Sequence, residues 1–106
     1  MARYLVIGSY TAQGAAGVLK EGGSGRRDAA RQVIESVGGT LESLYWGFGT
    51  DDFYATVDLP GHAAATAASL KISSSGAARV RTVPLMTAEE IDAAAKLSPN
   101  YRAPGA

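Results

Sequence analysis

Four β-type segments alternate with helical segments along this chain, in an order that few folds accommodate. Glycine, proline and serine clusters separate the segments, and alternating aromatic or β-branched residues indicate the strands. Strands are expected at 3–10, 40–48, 52–59 and 78–85, and helices at 12–20, 25–37, 62–72 and 87–97. With right-handed crossovers, a β-α-β-β-α-β order predicts an α+β, ferredoxin-like antiparallel sheet that carries its helices on one face, with an extra C-terminal helix.

Short polar and glycine signals indicate where the helices begin and end. Thr11 can cap the first helix, and Ser24 can cap the second after a glycine-rich break. Thr87 and Glu90 have the spacing of a capping box at the last helix. We expect residues 1–97 to form one domain and the Pro/Gly/Ala-rich segment 98–106 to be a flexible tail.

The pattern of side chains predicts that both faces of the sheet are apolar. A hairpin turn at residues 49–51 would pair Phe48 with Asp52. Trp46 would then lie opposite Tyr54, on the far face, which is the face of the sheet away from the helices. The first strand would add Tyr4, Val6, Gly8 and Tyr10 to the far face, while Phe53, Ala55, Val57 and Leu59 would face the helices. A two-sided apolar sheet predicts a homodimer, because a second copy would cover the far face.

The composition supports a partner chain and excludes some classes of function. Hydrophobic residues make up 46% of the 106 residues, but the large ones include only two Phe and one Trp, so the core is expected to be thin. Ten basic residues balance ten acidic residues. That neutral total argues against nucleic-acid or membrane-surface binding. The absence of cysteine excludes disulfides and thiolate metal sites and favours a cytoplasmic protein. The apolar run at 4–7 is too short for a signal sequence.

Several motifs resemble the GYD-domain family in the same order along the chain. They are Ser9-Tyr10-Thr11, residues 19–27, Gly38-Gly39, Phe48-Gly49, Asp52, Ser75-Gly76-Ala77 and residues 83–90. The chain departs from the family at Asp51, where the Tyr of the Gly-Tyr-Asp motif is expected, and at Gly61-His62. The resemblance implies a small bacterial protein with a ferredoxin-like, dimeric α/β-barrel fold, and it points to no particular activity.

A set of four residues is the main candidate for ligand binding. Tyr10, Trp46, Tyr54 and Arg81 would line the space between the two sheets of a dimer, as an apolar cavity with a few polar anchors. The alternative is that they only pack the dimer interface, with Arg81 neutralised by Asp58 or Glu42.

Other candidate residues have an ordinary structural interpretation beside the functional one. Arg26 and Arg27 follow a glycine loop at a predicted helix start, so they suggest a bound anion or a carboxylate of a partner subunit, and the alternative is a solvated turn. Asp51 and Asp52 suit either cation or acid–base chemistry, or simple turn formation. The single His62 is expected at the surface of a helix start, and we expect no metal and no cofactor.

Two classes of function fit these observations. The first is a homodimeric binding protein that holds a small aromatic or apolar molecule between sheet and helices. The second is a small cofactor-independent oxygenase or isomerase, which would use Tyr10 or Tyr54 as acid or donor and Arg81 to hold an anion. An RNA-binding sheet, suggested by the aromatic run at 45–48, is disfavoured by the neutral charge.

Overall fold

The computed structural model describes residues 1–106 as four strands and three helices. They are β1 Ala2–Tyr10, α1 Ala12–Ser36, β2 Thr40–Trp46, β3 Phe53–Leu59, α2 His62–Ser74, β4 Ala78–Leu85 and α3 Ala88–Ala95. The strands form one sheet in the order β2-β3-β1-β4, and all the neighbouring pairs are antiparallel. This α+β arrangement has the predicted order of elements and is compatible with a ferredoxin-like fold.

Helix α1 joins the two helices that the sequence predicts before β2. Gly22 interrupts it with φ 77° and ψ 170°, a backbone conformation that non-glycine residues rarely adopt. Thr11 caps its start as predicted, since the Thr11 hydroxyl accepts from the Gly14 amide at 3.2 Å. The glycine-rich break is therefore a kink within one long helical segment.

The register between β2 and β3 differs from the predicted one. Trp46 pairs with Phe53, and Tyr45 pairs with Tyr54. The loop spans residues 47–52. Asp52 joins both neighbouring strands at this end of the sheet, because its carbonyl accepts from the Gly47 amide at 3.0 Å and its amide donates to the Gly8 carbonyl at 2.8 Å. A shift of one residue moves every side chain to the other face. The prediction that Trp46 lies on the far face was wrong, and Trp46 faces the helices.

Strand β1 was also assigned to the wrong face. Tyr4 pairs with Val57, Val6 with Ala55 and Gly8 with Phe53, so these β1 residues share the helix-facing side with the apolar residues of β3. The far face instead receives alternate residues of the four strands, among them Leu5, Ile7, Tyr45, Tyr54, Arg79, Arg81 and Val83. The far face still combines apolar and aromatic residues, but most of them are different from those predicted.

The core between sheet and helices is small. Tyr4, Val57 and Leu59 are its most deeply buried large side chains, and Ile34 of α1 packs among them. Helix α1 packs mainly against β2 and α2 mainly against β4. The two helices therefore leave a gap above the middle of the sheet. None of the helices combines the length and the apolar character needed to cross a membrane.

The chain beyond β4 extends away from the rest of the molecule. The predicted capping box at Thr87 and Glu90 is present, so α3 begins where the sequence indicates. Every residue from Met86 to Ala106 is exposed. The radius of gyration is 16.8 Å, whereas a compact chain of this length has about 13 Å. The projecting segment accounts for this difference.

Truncating a core side chain should destabilise the protein strongly. Leu59 is 1% exposed in the core cluster, so Leu59→Ala should lower the free energy of unfolding by about 2–5 kcal/mol. Leu70→Ala is the matched control, because Leu70 is 66% exposed on α2. Urea denaturation followed by far-UV circular dichroism measures both. Equal effects of the two substitutions would contradict this description of the core.

Candidate functional site

A cavity of about 500 Å³ lies between α1, α2 and the helix-facing side of the sheet. Of its 27 lining residues, 18 are hydrophobic. The helices contribute small side chains to its walls: Ala29, Ala30, Ala65 and Ala68. Alanine side chains leave volume that leucine or isoleucine would fill, so the alanine-rich helices produce the cavity. We call this cavity the cleft.

Three aromatic side chains form one end of the cleft. The Trp46 Nε1 donates to the Tyr10 hydroxyl at 3.0 Å, and the rings of Tyr10 and Phe53 lie 5.1 Å apart. The Phe53 ring lies directly over Gly8, where an added Cβ would come within 1.9 Å of it. The strand therefore needs a residue without a side chain at position 8 to admit the Phe53 ring.

The loop between β2 and β3 holds Tyr10 in place. The Tyr10 amide donates to the Asp52 Oδ2 at 2.8 Å, and the Asp52 amide donates to the Gly8 carbonyl at 2.8 Å. Asp52 therefore binds the end of β1 through both its backbone and its carboxylate. The Asp51 carboxylate has different partners: it accepts from the Ser9 hydroxyl at 3.4 Å and from the Arg81 guanidinium at 3.3 Å. Both aspartates therefore attach the loop to other strands, rather than accepting from amides within the turn as the turn interpretation of the sequence expected.

A charged pair lies on the wall of the cleft at the kink of α1. Arg26 and Glu21 form an ion pair with a separation of 3.6 Å, and both residues line the cleft. The Trp46 indole lies beside them, 3.8 Å from where a Cβ on Gly23 would be. Arg27 is exposed and does not line the cleft. The carboxylate beside Arg26 is Glu21 of the same helix, and Arg27 forms no ion pair with it.

The four residues predicted to bind a ligand together are divided between the two faces of the sheet. Tyr10 and Trp46 lie in the cleft, whereas Tyr54 and Arg81 lie on the far face. The idea that all four line a space between two sheets was wrong. Arg81 pairs with Asp51 at 3.3 Å, and the expected partners Asp58 and Glu42 lie elsewhere on the far face.

A cluster of charged side chains occupies the β2 side of the far face. Arg3 contacts Glu42 at 2.9 Å and Asp58 at 3.4 Å. The negative charge of Glu42 raises the pKa of Arg3. A hydrogen bond between the two carboxyls raises the pKa of Glu42 and lowers the pKa of Asp58.

A second groove, of about 380 Å³, runs between α2 and β4. Within it the Tyr4 hydroxyl and the His62 Nδ1 are 2.7 Å apart, and Ser69 is 3.0 Å from Thr82. The sequence analysis missed the Tyr4–His62 pair, because the two residues are far apart in the sequence and no local pattern joins them. It also missed Glu21 and Phe53 as cleft residues, although Phe53 alternates with three other apolar residues of β3.

A comparison with protein-family models shows the family to which the chain belongs. The family model for the GYD domain matches residues 4–95. The chain belongs to the GYD domain family. No curated protein matches it.

The structure gives physical roles to the two aspartates of the β2–β3 loop in this GYD domain. Asp52 ties the β2–β3 loop to the end of β1 and so sets the position of Tyr10 in the cleft. Asp51 reaches the far face through Arg81. The loop therefore lies next to the cleft and acts on its geometry.

Removing the Asp52 carboxylate should loosen the end of β1. Asp52→Ala leaves the Tyr10 amide without its charged acceptor and should cost about 1.5–3 kcal/mol of the free energy of unfolding. Asp51→Ala is the matched control and should cost at most about 1 kcal/mol, because it removes a long hydrogen bond from the Ser9 hydroxyl and an ion pair with the largely exposed Arg81. Urea denaturation measures both variants. A larger loss for Asp51→Ala than for Asp52→Ala would contradict these roles.

Proposed function

We propose that this GYD-domain protein is a homodimeric small-molecule-binding protein whose ligand occupies the cleft. The cleft itself is the observation that supports the proposal. Its volume of about 500 Å³ lies within the range of small-molecule sites, which are mostly apolar with a few oriented polar groups. Tyr10 and Trp46, two of the four residues first proposed to bind a ligand, lie within it.

The polar groups of the cleft suggest what kind of molecule fits. The Tyr10 hydroxyl accepts from Trp46, so its own proton remains available for a ligand acceptor. The Trp46 and Phe53 rings offer stacking surface beside that donor. Arg26 is paired only with Glu21 and retains further N–H groups. We infer a ligand with an aromatic or apolar ring system and an acceptor or anionic group.

The far face supports the homodimer. It presents Leu5, Tyr54 and Val83 on the neighbouring strands β1, β3 and β4, around Ile7, which is itself only 7% exposed. Tyr54 is 40% exposed and Val83 is 36% exposed. Contiguous apolar surface of this kind usually marks an interface. A second copy that packs its own far face here would form a two-layered sheet core.

A cofactor-independent enzyme of the dimeric α/β-barrel type is the alternative, and the structure changes which residues it would use. Arg81 lies on the opposite face of the sheet from Tyr10, so the two residues do not share a site. Arg26 is the guanidinium group that shares the cleft with Tyr10. Native mass spectrometry of protein purified from its own host would separate the alternatives: a retained molecule that stays unchanged favours binding, and its conversion favours catalysis.

Binding in the cleft can be tested with an aromatic anion as a probe. Anilinonaphthalene sulfonate should bind saturably, one molecule per chain, and change the fluorescence of Trp46, the only tryptophan. Tyr10→Phe should weaken binding by about 2- to 10-fold through loss of one hydrogen bond, and Arg26→Gln by about 10-fold or more. Tyr54→Phe is the matched control and should change nothing, because Tyr54 lies on the far face.

Two outcomes would contradict the cleft as the binding site. One is binding without saturation, which is typical of a loosely folded protein that exposes apolar surface. The other is an equal loss of affinity in Tyr10→Phe and Tyr54→Phe. Near-UV circular dichroism of each variant shows that its tertiary packing is intact.

Self-association should be observable in dilute solution. Sedimentation velocity at micromolar concentration should show a homodimer. Val83→Asp should weaken this dimer, because it buries a charge on the far face, and Leu70→Asp on exposed α2 should not. A well-folded wild-type monomer at that concentration would refute the dimer, while leaving binding in the cleft to its own test.

A further inference from the structure

The C-terminal residues 86–106, which we call the arm, have no partner within the chain. No residue of α3 is buried, and every arm residue is exposed. Large apolar side chains are among the exposed ones: Met86, Ile91, Leu97 and Tyr101. The long axis of the molecule reaches 55 Å because the arm leads away from its own sheet.

The arm nevertheless begins with a well-formed helix. The Thr87 hydroxyl accepts from the Glu90 amide at 3.1 Å, and the Glu90 carboxylate accepts from the Thr87 amide at 3.1 Å. A helix of eight residues is marginal in water on its own, and helices of this length are normally stabilised by packing. The capped α3 therefore indicates a surface that it packs against.

The charges of α3 and of the far face are complementary. Glu90 is used in the capping box, whereas Glu89 and Asp92 form no ion pair within the chain. Arg79 of β4 also has no ion pair, and it lies on the far face beside Arg81. Glu89 and Asp92 share one side of α3 at a spacing of three residues, and Ile91 projects about 100° around the helix from Asp92, so the acidic and apolar sides of α3 are neighbours.

We propose that the arm of one protomer docks along the β4 edge of the far face of a second copy, with Glu89 and Asp92 against Arg79 and with Ile91 on the apolar surface at that edge, while the rest of the face packs on the second copy's sheet. This proposal rests on the proposed homodimer and adds the arm as its contact. A second copy is the occupant because one chain carries both the acidic, apolar helix and the basic, apolar sheet face. A two-fold axis makes the contact twice, so both unpartnered surfaces of each chain are covered.

Charge reversal in separate chains tests the exchange. The arm variant carries Glu89→Lys and Asp92→Lys, and the sheet variant carries Arg79→Glu. Each variant alone should dimerise about tenfold more weakly, because like charges then face each other twice. In a heterodimer of the two variants, one contact joins the unchanged arm of the sheet variant to the unchanged Arg79 of the arm variant. In the other contact the charges of both the arm and the sheet are reversed, so they again attract each other. A heterodimer should therefore form with nearly wild-type affinity, and native mass spectrometry identifies it by mass.

Control variants separate this contact from general effects. Arg27→Glu reverses an exposed charge on α1 and should leave the dimer unchanged. Ile91→Ser should weaken the dimer, while Leu19→Ser, at a side chain that is 88% exposed on α1, should not. Far-UV circular dichroism confirms that each variant is folded.

The possible failures have different meanings. If both variants dimerise as tightly as the wild type, the dimer stands and the arm contact is overturned. If both variants are weakened but their mixture forms no heterodimer, the arm does not pair with the Arg79 region of a second copy, and the inference is overturned. A wild-type monomer overturns the arm contact together with the homodimer, and the cleft keeps its independent test with anilinonaphthalene sulfonate.

Discussion

The attachment of the β2–β3 loop to the end of β1 determines which side chains lie on each face of the sheet. Asp52 binds β1 through the Gly8 carbonyl and the Tyr10 amide. Because Asp52 is held there, β3 begins at Phe53 and pairs that residue with Trp46. The indole of Trp46 consequently faces the helices and reaches the Tyr10 hydroxyl. A slip of one residue between β2 and β3 would turn Trp46 to the far face, and the cleft would lose one of its aromatic walls.

The same region shows what the sequence could and could not predict. The elements indicated by local signals are present in the structure. These signals are the helix cap Thr11, the Thr87–Glu90 capping box and the alternation of apolar residues in β3. The family follows from motifs spread over residues 4–95. The predicted register of β2 against β3 was wrong, because a short hairpin and a loop that is anchored to a third strand have similar local sequence patterns. The anchor is a contact between residues 8 and 52, and periodicity contains no information about it.

The candidate site was only partly predictable for a related reason. Tyr10 and Trp46 were chosen together and do form a hydrogen bond, although on the other face of the sheet from the expected one. Arg81 lies on the far face as expected, and it is separated from Trp46 by the register of β2 and from Tyr10 by the orientation of β1. The cavity itself depends on the spacing of α1 and α2, and alanine-rich sequences leave that spacing open because small side chains impose few contacts. Composition therefore indicated a thin core, whereas only the structure shows where the unfilled volume lies.

The neighbouring aspartates of the loop connect the two faces on which the proposals rest. Asp52 acts on the cleft through Tyr10, and Asp51 acts on the far face through Arg81. The two side chains share one stretch of backbone, so a displacement of the loop moves both contacts. The proposed ligand and the proposed second copy would therefore act on the same loop from opposite sides of the sheet. This arrangement gives the β2–β3 loop a position from which the geometry of the cleft and that of the far face are set together.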